Sequence, residues 1–231
     1  MKQISKISGI AYLMIFVAGF YANFNVLENL VVNNNPITTV SNIITNQSQF
    51  GYGLLGFLVM LFFDVVLVWS LFGLTKSINK NVSYIASFFR LLHALFFSIA
   101  TFKLWKIYQL TSNTTDSKDL QIIIMELLSG FDTLWTVGLL FFGVHLIVLG
   151  YLSIKSIKIP KAIGVLLIFA AIGYIIDGVA KLCMLSYSDY KDVLEVIVII
   201  PAVVGEFSFT FWLLIKGFKK QSSQQKKIKS E

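Results

Sequence analysis

Long apolar runs constrain this chain more than any other feature. Six stretches, at 7–25, 52–75, 83–108, 132–153, 161–185 and 193–217, carry few charges and each has the length a bilayer-crossing helix needs. A helix rises about 1.5 Å per residue, so about 20 apolar residues span a hydrocarbon core roughly 30 Å thick. Backbone amides find no water there and must bond within the spanning structure, which leaves helices or closed barrels. Barrel strands would be shorter and would alternate in polarity; these runs do neither. The expected fold is therefore all-α, a polytopic six-transmembrane-helix bundle. Composition agrees, because charged residues make up only 13% of the chain, about half the share usual in soluble domains. The first run follows Lys2 and Lys6, like a signal peptide. It outruns the usual apolar core of such a peptide and no small-x-small cleavage site follows it, so it reads as an uncleaved first span.

The net charge of +7 sits in short loops and a tail between apolar runs. No folded basic patch accompanies it, so nucleic acid is not an expected partner. The lipid bilayer is, with anionic headgroups facing the lysines. Six crossings put both chain ends on one side. That side collects Lys2, Lys6, Lys76, Lys80, Lys155, Lys158, Lys161, Lys216, Lys219, Lys220, Lys226, Lys227 and Lys229, thirteen of the eighteen lysines, with Glu231 as its one acid. The positive-inside rule then places both ends in the cytoplasm. On this reading the membrane domain occupies 1–218, and 219–231 is a basic, disordered tail. The single cysteine, Cys183, excludes an internal disulfide and a cysteine-based zinc cage. No motif argues for an oligomer.

The two long outer loops contain amphipathic segments. Asn35-Pro36 has the pattern of an N-cap followed by proline in the first turn. Ile37, Val40, Ile43 and Ile44 then share a helical face. In the second loop, 119–128 (DLQIIIMELL) is short and strongly apolar. Both are expected to lie as interfacial helices.

The ionisable residues inside the spans carry the functional argument. Charge in hydrocarbon costs a few kcal/mol even on lenient scales, so such residues face protein or water and find partners. Counted from the cytoplasmic end of each span, Arg90 lies about 10 Å deep, His145 about 12 Å, His93 about 15 Å, and Asp64 and Glu206 about 16 Å. Four helices thus place five ionisable groups in one slab. Arg90, the chain's only arginine, and His93, one of two histidines, are three residues apart and share a face. A short loop makes the second and third spans antiparallel neighbours, which lets Asp64 meet Arg90. Arginine keeps its proton, so Arg90 must be paired or wet; Asp64 and Glu206 are the candidate partners. A secondary pair, Asp177 and Lys181, has the acid-first i, i+4 spacing. Asp132, at the outer start of the fourth span, suits an N-cap. Pro201, five residues before Glu206, frees a backbone carbonyl one turn back. Gly138, Gly143 and Gly150 allow close helix packing.

The segment FFGVHLIVLGYLSIKSIKIPKAIGVLLIFAAIGYIIDGVAKL, at 141–182, resembles a family of bacterial integral membrane proteins, domain of unknown function 4386. The resemblance rests on FFGVH with His145, GYL and the basic loop with Pro160, IGVLL, and GYIID with Asp177. ISGIAYLMIFVAGFYANF near the start, FFDV around Asp64, FFRLLHA around Arg90 and PAVVGE around Glu206 extend it over nearly the whole chain. It implies a multi-helix protein of the bacterial inner membrane and supplies no activity.

Four readings follow from the slab. In the leading one, Asp64, Glu206, His93 and His145 exchange protons beside Arg90 in a binding or transport protein. A metal-dependent intramembrane hydrolase would use His93, His145, Asp64 and Glu206 as zinc or iron ligands, although no HExxH motif is present. A haem protein would use His93 and His145 as axial ligands. A structural or interaction protein would need the polar residues only to specify the bundle. The leading reading requires no cofactor.

Overall fold

The computed structural model describes residues 2–32, 35–112 and 116–219, and all of its regular structure is helical. Six helices are long and apolar enough to cross a membrane: α1 (Lys2–Leu30), α3 (Gln47–Thr75), α4 (Lys80–Thr111), α5 (Lys118–Lys155), α6 (Lys161–Cys183) and α7 (Tyr187–Phe218). A short helix, α2 (Pro36–Thr45), lies between α1 and α3. The protein is a multi-pass membrane protein. Of the tail expected at 219–231, everything from residue 220 onward lies outside the described residues.

Local signals set the helix ends. Asn35 caps α2 by accepting from the Thr38 amide, with Pro36 in the first turn. Asn79 caps α4 through the Val82 amide, and Ser117 caps α5 through the Leu120 amide. Each cap satisfies an amide that the first turn leaves without a partner.

The helices run beyond the apolar runs because polar residues at their ends continue the backbone ladder into the interface. The largest extension is in α5. The stretch 119–128 is helical, but it forms the first turns of α5 and not a separate interfacial helix. Asp132 therefore sits inside a continuous helix, where no free amides await a cap, and Ser117 takes the N-cap role. In α2 the apolar face is narrower than its periodicity implies: Val40 and Ile43 are fully buried, while Ile37 is 63% exposed. Thr39 is buried beside them and clasps the end of α1, accepting from the Val32 amide and donating to the Val32 carbonyl.

The six long helices close a ring in chain order. α1 packs on α3, α3 on α4, α4 on α5, α5 on α6, α6 on α7, and α7 returns to α1. Glycines permit the close approaches. A Cβ on Gly150 would lie 2.7 Å from the Gly164 carbonyl oxygen, and one on Gly164 would lie 2.6 Å from that of Gly150, so α5 and α6 touch backbone to backbone. Pro201 lies inside α7 and lacks the amide that would bond the Ile197 carbonyl. Gly173 of α6 packs there, since its Cβ would come within 2.9 Å of that oxygen. In α1, Tyr21–Leu27 is π-helical and packs on Gly53 through Val26.

Inside the ring are two apolar clusters. One is built around Phe57, Phe97 and Phe131, beside α2; the other around Leu67, Leu146 and Leu213, nearer the start of α1. Along α3 the first ends at Met60 and the second resumes at Leu67. Asp64 falls between them. The site described next is a polar layer separating two dry ones.

Candidate functional site

The layer is organised by Arg90, whose side chain is 1% exposed. It leaves α4 and reaches three other helices. Its Nη2 donates to Asp64 Oδ1 of α3 at 2.5 Å. Its Nη1 donates to the Tyr12 hydroxyl of α1 at 3.2 Å and lies 3.2 Å from His145 Nε2 of α5. The guanidinium carbon stands 5.2 Å from the Tyr12 ring centroid and 5.4 Å from that of Phe142, which adds cation–π contact in a buried setting. One cation therefore holds four helices at a single point.

His145 supports this arrangement. Its Nδ1 lies 2.8 Å from the Ala86 carbonyl oxygen, a pure acceptor, so that nitrogen carries the proton and Nε2 presents its lone pair to Arg90. The network assigns a neutral imidazole in one tautomer. His93 is different. Its Nε2 lies 3.6 Å from Asp64 Oδ2, close enough for electrostatic contact and too long for a hydrogen bond. Its ring packs against Phe97, Trp135 and Phe142, and Gly138 of α5 leaves the space it fills. Among the described residues, Asp64 Oδ2, Arg90 Nε and His93 Nδ1 are buried without a hydrogen-bond partner. Three such atoms in one cluster are unusual in a packed interior, where buried polar groups are nearly always bonded.

Glu206 of α7 lies apart from Arg90's bonds. It accepts from the Tyr174 hydroxyl of α6 at 2.9 Å and remains near enough to Arg90 and Asp64 to feel both charges. With it, all six long helices contribute a polar side chain to the layer. Of the residues expected in the slab, Asp64, Arg90, His93 and His145 come together directly, and Glu206 joins through the field and through Tyr174.

The Asp177–Lys181 pair does not form. Lys181 reaches across to Asp132 of α5 at 2.6 Å, and Asp177 accepts from the Tyr187 hydroxyl at 2.8 Å. Both acids find better placed donors on neighbouring elements than the adjacent turn supplies. Tyr12, Tyr174 and Phe142 are site residues that the charge count passed over. The tyrosines carried a signal, since a phenol in mid-span needs a partner for its hydroxyl; the phenylalanine did not.

A narrow crevice borders the layer. It runs between α3 and α4 from Thr75 to Leu67, with Arg90 and His145 as its ionisable lining groups. Its walls, including Val68, Leu71 and Leu149, are apolar and stand too close to admit a water molecule in this conformation.

A family described as "Domain of unknown function (DUF4386)" matches residues 7–217. The chain belongs to this family. An uncharacterized protein of Archaeoglobus fulgidus is 33% identical over 168 residues, covering 73% of this chain and 85% of the relative. No solved structure matches. The match begins within α1 and ends at the last turn of α7, so it takes in every helix of the ring.

In this DUF4386 chain the donors do not suit a metal. Among the described residues, no three His, Cys, Asp or Glu side chains converge as a metal-binding group. Both nitrogens of His145 are committed to Arg90 and Ala86, and a fixed cation stands where a metal would have to compete. Zinc or iron bound by His93, His145, Asp64 and Glu206 would need the Arg90 hub dismantled. Haem fits no better, because aromatic rings surround His93 and the crevice is far smaller than the macrocycle.

Proposed function

We propose that this chain is a bacterial cytoplasmic-membrane protein, with both ends in the cytoplasm, that binds or transports a small ligand in step with a proton taken up at Asp64. The lysine-rich face supports the orientation, by the positive-inside rule. One observation carries the proton-linked reading. Buried Asp64 gives one oxygen to Arg90, while its other oxygen has no hydrogen bond and faces His93 at 3.6 Å.

A proton arriving on that oxygen cancels the charge of Asp64. Arg90 cannot release its own proton in response. The cation is then uncompensated in a low-dielectric layer, which is costly enough to force a rearrangement. That rearrangement starts where four helices meet. His93 Nε2, 3.6 Å from the same oxygen, would pass the proton on once that gap closes to hydrogen-bond distance. The crevice supplies a path toward the end of α3 once its walls part.

A second reading has its own support. The hub ties α1, α3, α4 and α5, and the crevice is closed to water. Arg90 would then be a lock that fixes helix register, as buried ion pairs do elsewhere.

Crevice access separates the two. Val68→Cys, in a Cys183→Ser background, reports access to a membrane-impermeant maleimide. The proton-linked reading expects reactivity to rise as pH falls, and to be high at every pH when Asp64→Asn is added. Low reactivity under all of these conditions leaves only the lock.

A further inference from the structure

We propose that the crevice between α3 and α4 admits a monocarboxylate with an apolar tail, which replaces Asp64 on Arg90 as Asp64 takes a proton. This rests on the proton-linked reading of the same site and names its substrate class.

The guanidinium is only half used by its present partner. Nε and Nη2 point the same way from an arginine and together form a side-on fork for a carboxylate. Asp64 occupies Nη2 through Oδ1, while Nε has no partner and Oδ2 turns toward His93. A carboxylate presented to that edge makes two bonds where Asp64 makes one.

Charge counting then fixes the stoichiometry. The pair of Arg90 and ionised Asp64 is neutral, and so is the pair of Arg90 and a bound carboxylate beside protonated Asp64. One anion and one proton enter together, with no net charge left in hydrocarbon. The groups around Asp64 make this the economical exchange: Tyr12 from α1, Arg90 and His93 from α4, His145 from α5, and Glu206 from α7, itself held by Tyr174 of α6. Arg90 is the one fixed cation among them, so a second net anion has no counterion.

The lining selects against phosphate. Its two hydroxyls are already donated, Thr75 to the Leu71 carbonyl of its own helix and Ser87 across to the Val68 carbonyl of α3. A phosphate dianion would bring an uncompensated charge and oxygens with no donors. An alkyl tail along Val68, Leu71 and Leu149 meets apolar walls once these part. Such a carboxylate can come from water as a short acid or from the bilayer as a fatty acid, and chain length distinguishes these.

The test uses the full chain in phosphatidylcholine nanodiscs, with octanoate, butyrate and octanol as probes. Octanoate is expected to bind more tightly by about tenfold per pH unit lowered, through the neutral range where it stays ionised, with one proton taken up per anion. Asp64→Asn should bind it with no pH dependence and no proton uptake, and Arg90→Gln should not bind it. Should Arg90→Gln fail to fold, Val68→Phe obstructs the crevice while leaving every hub side chain in place, and is expected to lose binding while its helical spectrum is kept. Butyrate binding as well as octanoate assigns an aqueous source; octanoate alone assigns the bilayer; either supports the proposal. Octanol binding equally well, or octanoate binding indifferent to pH and to Val68→Phe, overturns it. If neither acid binds while a pH jump still drives proton uptake that Asp64→Asn abolishes, this inference falls and the proton-linked reading stands. If Asp64→Asn takes up as many protons as wild type, both fall.

Discussion

Removing Asp64 should hurt more than removing Arg90. In Asp64→Ala, Arg90 stays charged at 1% exposure with Tyr12 and His145 as its remaining partners, neither an anion. Breaking a buried pair in this way costs about 3–5 kcal/mol, on the order of a hundred- to several thousand-fold in the unfolding equilibrium. In Arg90→Met the orphaned carboxylate can protect itself by taking a proton, and methionine fills much of the space between Tyr12 and Phe142. The cost is then mainly the lost bonds to Tyr12 and His145, about 1–3 kcal/mol. The double variant Asp64→Ala, Arg90→Met leaves no charge behind, so its cost should fall below the sum of the singles by about 2 kcal/mol or more. The assay is equilibrium unfolding in mixed micelles with increasing sodium dodecyl sulfate, followed by circular dichroism. Singles that add to within about 0.5 kcal/mol, or an Arg90 variant clearly worse than the Asp64 one, would mean that one fixed cation does not set the energetics of the layer.

Gly150→Ala should force α5 from α6, because the new Cβ meets the Gly164 carbonyl at 2.7 Å; a loss of about 1–3 kcal/mol is expected in the same unfolding assay. Gly130→Ala should cost far less there, since its Cβ meets only the flexible Lys103 side chain at 3.4 Å. Asp132→Asn removes the negative charge facing Lys181, between partly exposed groups, and should change stability by less than about 1 kcal/mol. Cys183, exposed at the end of α6 opposite the lysine-rich loops, should react with an impermeant maleimide on intact cells; labelling only after lysis would reverse the orientation.

Spacing and chemistry made much of this legible in the sequence. Six runs of sufficient length meant six spans, because the bilayer dictates that length. Asn35-Pro36 announced the start of α2, because a cap is a local event. The proximity of Asp64 to Arg90 followed from a short loop and a cation that cannot discharge. What escaped was tertiary. The pairing of Lys181 with Asp132, and of Asp177 with Tyr187, depends on how α5, α6 and α7 are rotated against one another, and i, i+4 spacing does not encode that rotation. The choice of Asp64 over Glu206 as Arg90's anion was open for the same reason. Asp132 looked like a helix start because polarity changes there, yet Ser117 begins the helix, since α5 continues past the apolar run. Tyr12 and Tyr174 were readable in principle as phenols in mid-span; attention to charge alone missed them.

Infrared difference spectroscopy on a pH jump shows whether Asp64 accepts a proton while folded. A carboxylic-acid carbonyl band is expected to appear as pH falls in wild type, to be missing in Asp64→Asn, and to persist in a Glu206→Gln control. A band that survives Asp64→Asn and vanishes with Glu206→Gln would place the titrating acid on α7. No band in any form would leave Arg90 and Asp64 as a permanent lock between helices.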